Sequence, residues 1–262
     1  MKKLVRTMLQ RLSDSDDVEL ISWAAPVPSF GNLQRAPIAT LGINPSNREF
    51  VDEDGVELTT QKRRFHTLRS LQLEEWSHAG GEEIELIVES CNEYFFRNPY
   101  NGWFKRLDAI VAATGHSYYD RIFPACHIDL LPFATDSKWG TLAVNRRKNL
   151  LRNNADLLKT LIESSHLKLL ILNGQSVVSE FELAAGVTLT SQKMPGWVLP
   201  RSNGENVPGV AYTGSCSLFA GEKLPRPIKV LGFNHNIQSS FGVTSNVIGN
   251  IARWVGQNAG SE

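Results

Sequence analysis

Apolar residues recur at helical spacing at Leu4, Met8, Leu9 and Leu12, and again at Val18, Leu20, Ile21 and Trp23. The pattern predicts two short N-terminal helices parted by the capping run Ser13-Asp14-Ser15-Asp16. Pro26 and Pro28 close that section. The stretch 37–43 is short and apolar, with Pro37 at its head and Asn44-Pro45-Ser46 behind it, so it reads as the first buried strand of a core. A polar connection, 47–64, leads into helical patterns around 68–76, 82–95 and 103–113. A second strand is expected around 121–131. A helix over 145–165 follows, carrying Leu150, Leu151, Leu157, Leu158 and Leu161 on one stripe, and then an apolar strand over 167–172, broken by Asn173-Gly174. Beyond a short helix over 175–185, residues 187–213 are rich in Gly, Pro and β-branched residues, the composition of a hairpin or an irregular excursion. The last strand spans 228–233. A closing helix, roughly 243–257, puts Val247, Ile248, Ile251 and Trp254 on one face.

Strands that alternate with helices imply an α/β fold, a three-layer sandwich whose central, mainly parallel sheet is flanked by helices on both faces. No repeat, low-complexity tract or linker divides the chain, so 1–262 reads as a single domain with an N-terminal helical extension over about 1–30. A doubly wound sheet binds ligands beyond the carboxyl ends of its strands. The chemistry is therefore to be sought at the four strand ends, three of which carry polar residues of a suitable kind.

Composition narrows the classes. No run approaches the ~18–20 apolar residues of a membrane span, and the polar start leaves no signal-peptide core, so a cytoplasmic location is expected and no membrane partner. Cys91, Cys126 and Cys216 lie far apart, with no CxxC pair and no histidines at zinc-site spacing; they read as reduced, structural thiols, and no metal is expected. Lys plus Arg equals Asp plus Glu, 27 against 27, so no overall positive field announces a polyanion partner, although phosphate contacts need only local cations. The runs Lys62-Arg63-Arg64 and Arg146-Arg147-Lys148 are such local cations, or else solvated faces.

The first strand ends in Leu41-Gly42-Ile43-Asn44-Pro45-Ser46. A glycine followed by a polar residue and proline at this place resembles the water-binding motif of the uracil-DNA glycosylase superfamily, especially its mismatch-specific and single-strand-selective branches. The last strand ends in Gly232-Phe233-Asn234-His235-Asn236-Ile237-Gln238-Ser239-Ser240-Phe241, similar to the superfamily's second motif, a histidine followed by a serine loop that enters the minor groove. Asn236-Ile237 stands where that family commonly has Pro-Ser. The strand ending in His127-Ile128-Asp129 resembles the third element, where an asparagine reads the base edge.

The resemblance implies roles residue by residue. Asn44 orients the attacking water, Pro45 stiffens the turn, and His235 donates to the base O2 as charge collects on the leaving pyrimidine. Ser239 and Ser240 hold a phosphate, while Phe241 or Ile237 fills the gap in the stack. Phe50, or more remotely Phe65, stacks on the flipped base, and the small residue at the end of the 167–172 strand lets the backbone approach the cleft. His127 lies two residues before Asp129 and so on the same strand face, either in the base site or as a structural partner.

Asp129 departs from the family's asparagine. An amide offers a donor and an acceptor, as the uracil edge requires, whereas an ionised carboxylate only accepts and suits the cytosine N4 amine. Contact with cytosine N3 further requires a proton on Asp129 or on the ring. Unmodified cytosine is no sensible target in a cell's own DNA. The expected substrate is therefore a modified cytosine, such as the glucosylated hydroxymethylcytosine of phage DNA, and the expected role antiphage defence, with 47–64 a candidate wall beside the base C5 position.

The expected activity is a monofunctional DNA N-glycosylase, a hydrolase that flips a pyrimidine from single- or double-stranded DNA and leaves an abasic site. No lysine sits in the motifs, so no Schiff base is expected. Three cysteines are too few for the four-cysteine cluster of some branches, so no cofactor is implied, nor an obligatory protein partner. Two alternatives stand beside it: a conventional uracil or mismatch glycosylase of base excision repair, and a module that binds modified DNA without cutting. A nucleotide-handling α/β enzyme ranks below both, because no GxGxxG or GxxxxGK loop occurs.

Overall fold

A computed structural model of the protein describes residues 1–201 and 204–260. Among the described residues six α-helices and six strands follow in the order α1 (Lys2–Ser13), β1 (Ile38–Gly42), α2 (Gly81–Asn92), α3 (Asn101–Val111), β2 (Ala125–Asp129), α4 (Val144–Glu163), β3 (Leu169–Asn173), α5 (Gln175–Ala185), β4 (Thr190–Pro200), β5 (Asn206–Phe219), β6 (Glu222–Phe233) and α6 (Ser245–Ala259). The fold is α/β, with one mixed sheet in the strand order β2-β1-β3-β6-β5-β4 and helices about it. β1, β3 and β6 are parallel neighbours, in register at Leu41 with Leu172 and at Asn173 with Phe233. β1, β2 and β3 are buried at every position, which explains why their sequences read as unbroken apolar runs instead of alternating.

The chain falls into two compact units: 1–34, 43–99 and 128–165 form one, and 35–42, 100–127 and 166–262 the other. In the first unit, α1 buries Leu4, Val5, Met8, Leu9 and Leu12 on one stripe, each apolar side chain worth about 1.5–3 kcal/mol. The helix packs against α2 and α4, and Arg11 clamps it to α4 through a two-pronged pair with Asp156, both N–O distances 2.7 Å. In the second unit, α6 starts at Thr244, whose hydroxyl accepts from the Val247 N–H, and it packs against α3. α5 lies against β3, β5 and β6.

Two expectations need correction. The second N-terminal helix does not form: 18–23 is turns and isolated bridges, because Leu20 pairs with Thr135 and the Ile21 N–H donates to the Ala134 carbonyl. The 68–76 pattern yields two single 3₁₀ turns, interrupted where Gln72 takes a left-handed φ of 57°. The 187–213 stretch, expected as a hairpin or an irregular excursion, contains β4 and most of β5, which pair antiparallel as a hairpin does and extend the parallel strands into a mixed sheet. Edge strand β4 carries Pro195, Gly196 and Pro200 and is mostly exposed, so it lacks the apolar run that marks the central strands. Residues 202 and 203, inside that stretch, lie outside the described residues.

Candidate active site

In the first unit, the chain that has left β1 turns at Asn44-Pro45-Ser46. The Ser46 hydroxyl accepts from the Arg48 N–H and caps a 3₁₀ turn, Asn47–Glu49. The turn is held to the segment after β2: the Leu131 N–H donates to the Ile43 carbonyl at 2.9 Å, and the Asn47 amide to the Asp136 carbonyl at 3.0 Å. Asn44 is half-buried. Its Nδ2 donates to the Pro45 carbonyl at 3.0 Å and to Thr135 Oγ1 at 3.1 Å, and Thr135 donates in turn to the Ser137 carbonyl. Both amide hydrogens are thereby engaged, and Oδ1 makes no hydrogen bond among the described residues. The side chain presents an acceptor of fixed orientation, the group that takes a hydrogen from water and leaves the oxygen lone pair to attack.

Asp129, the last residue of β2, is buried. Glu49 is 3% exposed, accepts from the Tyr94 hydroxyl at 2.8 Å, and has the Arg64 Nε 3.8 Å from the same oxygen. Burial pushes its carboxyl up to about 7, further raised by Asp129 and opposed by Arg64 and Tyr94. Arg64 also donates to the carbonyls of Asn98 and Arg48, so of the 62–64 cationic run its third member is turned inward. Phe50 is 1% exposed, edge-on to Trp23 at 6.2 Å and 5.8 Å from Phe65, which itself stacks on Tyr94. Both aromatic candidates for base stacking are thus packed as core anchors.

In the second unit, His127 is buried with Nδ1 2.7 Å from Thr40 Oγ1, and that hydroxyl lies 2.5 Å from the Tyr118 hydroxyl. Trp103 and Phe104 meet the imidazole at 5.1 and 5.5 Å. His235 is likewise buried, its Nε2 2.6 Å from the Trp197 carbonyl. A carbonyl only accepts, so Nε2 carries the proton. Burial, with Arg201 adding to it, holds the imidazole below its ordinary pKa despite the Trp197 bond, and the ring is neutral at physiological pH.

The loop after His235 is braced from β3. Asn173 Oδ1 accepts from the Ile237 N–H at 3.1 Å, and Asn173 Nδ2 donates to Gln238 Oε1 at 2.8 Å, while Gln238 Nε2 reaches the Trp103 carbonyl. Asn236 Oδ1 accepts from the N–H groups of Gln238 and Ser239. Asn236 thus builds a side-chain turn. Gly174 has φ +108°, and a Cβ on it would lie 3.0 Å from the Asn236 Cβ, so the small residue expected at this strand end does let the loop backbone close in. Ser239 is exposed and Phe241 is 67% exposed, whereas Ile237 is fully buried.

Glu49, Tyr94, Thr135 and Asn173 carry this geometry and were not singled out in the sequence. The only signal for Glu49 is an acid placed five residues after Asn44. All three cysteines are free and buried, and no group of metal-binding side chains occurs among the described residues. Nor is any described helix long and apolar enough to cross a membrane. An open cleft of about 1340 Å³ on the first unit, bordered by Lys3, Arg6, Arg146, Asp14, Asp16 and Asp17, holds charges of both signs and none of the motif residues. Neither a scan against protein-family models nor a search of the curated proteins finds a match to this chain.

Proposed function

We propose that the protein is a monofunctional DNA glycosylase of the uracil-DNA glycosylase type that removes a flipped, modified cytosine. The observation that carries the proposal is Asn44, a side chain at the end of a central strand with both amide hydrogens tied down and its oxygen open. That arrangement suits one task in base excision, holding water in line with the sugar carbon as the glycosidic bond breaks. Two further features support it. The parallel neighbours β1, β3 and β6 end at one edge of the sheet, where this fold class binds its ligands. The His235 loop is held rigidly and puts Ser239 and Phe241 in solvent, as a loop that enters DNA requires.

In the reaction, the target nucleotide leaves the stack with Phe241 taking its place. Asn44 holds the water and Asp129 accepts from the cytosine N4 amine, whereas His235, whose one N–H is on the Trp197 carbonyl, has none to give the departing base. Excision of glucosylated hydroxymethylcytosine, and hence defence against phage that carry it, is the substrate assignment that follows from an acid at 129.

Asp129→Asn tests that assignment. The amide can donate and accept, so the variant is expected to lose cytosine-type excision and gain on uracil, with the preference moving by roughly 5- to 150-fold, about 1–3 kcal/mol for an edge pair. Excision rates on matched oligonucleotides measure it. An unchanged preference removes Asp129 from base recognition.

A further inference from the structure

Cations that the first unit leaves unpaired gather where two of its segments are laced together. The Asn98 amide donates to the Lys62 carbonyl at 2.6 Å, and Arg64 Nε donates to the Asn98 carbonyl at 2.9 Å. Arg64 is thereby turned inward toward Glu49, whereas Lys62 and Arg97 are exposed and Arg63 is half-buried. The side chains of Lys62, Arg63 and Arg97 make no hydrogen bond or ion pair among the described residues. The acids of the adjoining segments are engaged elsewhere: Glu49 with Tyr94 and Arg64, and Glu57 with Thr67 and, at 3.9 Å, Arg69. Burial first, and then both Arg63 and Arg97, lower the His66 imidazole to about 4, so the two guanidiniums act on one buried ring. Like charges gathered without a counter-charge repel, and an anionic ligand relieves that repulsion.

The surroundings favour a nucleic-acid strand as that ligand. The cations are spread over two segments, which suits the spaced charges of a phosphate backbone, and Phe96, 38% exposed, puts an aromatic ring next to Arg97 in the chain. Phosphates on cations and a base on a ring are the usual means of holding a strand without reading its sequence. Arg64 also ties its segment to the Arg48 carbonyl, in the turn that follows Asn44. We propose that Lys62, Arg63 and Arg97 form a binding surface for a nucleic-acid backbone, with Phe96 as the stacking platform for one of its bases. The inference goes beyond the proposed function and rests on it only in taking the strand to be DNA.

Equilibrium binding of the full chain to a fluorescent single-stranded DNA oligonucleotide, followed against salt, tests the surface. Each phosphate contact adds roughly 0.7–0.9 to the slope of log affinity against log salt, so the triple variant Lys62→Ala, Arg63→Ala, Arg97→Ala should flatten it by about 2–3. Between about 50 and 200 mM salt the wild type should then lose about 20- to 40-fold more affinity than the variant. Arg63→Lys with Arg97→Lys keeps the charges and should keep the slope. Phe96→Ala should weaken binding by about 5- to 150-fold with the slope unchanged. Arg146→Ala, Lys148→Ala and Arg152→Ala together remove the same charge from α4 and should leave the slope as in wild type. A slope that the 62, 63 and 97 changes leave untouched, or that both triple variants reduce alike, overturns the surface and leaves the glycosylase reading to its own excision assay. Binding to phosphatidylserine vesicles or to inorganic phosphate that depends on these residues, with none to DNA, overturns it as well. A slope that depends on the surface, in a protein that excises no base from any DNA, upholds the surface and overturns the glycosylase reading.

Discussion

At the scale of the residue, the informative side chains are those whose partners leave one function open. Asn44 is held through its nitrogen and open at its oxygen, whereas His235 has its Nε2 proton on a main-chain carbonyl and stays neutral. The positions of Asn44, Asp129 and His235 are legible in the sequence because each follows or ends an apolar strand where a polar residue has no reason to be buried for packing alone. Their partners are not legible. Thr135 is 91 residues from Asn44, and Tyr94 is 45 from Glu49, and nothing local in an ordinary threonine or tyrosine announces a pairing made by tertiary contact. His66 is a second residue with a consequence that can be measured. Burial, reinforced by Arg63 and Arg97, lowers its pKa from 6.5 to about 4. The unfolded chain therefore binds the proton first as pH falls, so the stability due to neutral His66 is whole above pH 6.5 and lost progressively toward pH 4. Urea melts should show the wild type losing roughly 2 kcal/mol more than His66→Gln across that window. Equal losses would show that His66 is not the group that titrates.

At the scale of the element, the helices and central strands follow from their apolar spacing, and α5 begins and ends where the sequence puts it. Two kinds of element escape such reading. The segment 18–23 has helical spacing but is too short to nucleate alone, and it finds bridge partners instead. Strand β4 is polar because it lies at an edge, so its membership in the sheet is fixed by pairing with β5 and not by its own pattern. The β3–loop junction shows how one element holds the loop that follows another. Gly174 combines a left-handed φ with close backbone approach to Asn236. Gly174→Ala is expected to cost about 1–3 kcal/mol in thermal or chemical unfolding. It should also weaken DNA binding through the displaced 236–241 loop, although no DNA-facing residue is changed. Wild-type stability and affinity in this variant would mean that the loop does not depend on the brace.

At the scale of the whole molecule, net charge and fold class say less than the order of the strands. Equal numbers of acids and bases give no general attraction to a polyanion, so the action on DNA proposed above would have to come from placed groups and a flipped base. The parallel neighbours β1, β3 and β6 are brought side by side although they start at Ile38, Leu169 and Glu222 in the chain. The α/β class was readable from strand-helix alternation. The strand order was not, because which strands neighbour each other depends on crossovers that the apolar pattern does not encode. Base excision itself is tested most directly with purified protein and four DNAs that differ only in one base: uracil, cytosine, hydroxymethylcytosine or glucosylated hydroxymethylcytosine. Alkaline cleavage then reports abasic sites, with Asn44→Ala as the control. Cleavage of modified-cytosine DNA alone, lost in Asn44→Ala, is the predicted result. Intact strands in every DNA, or cleavage that survives Asn44→Ala unchanged, would contradict the account.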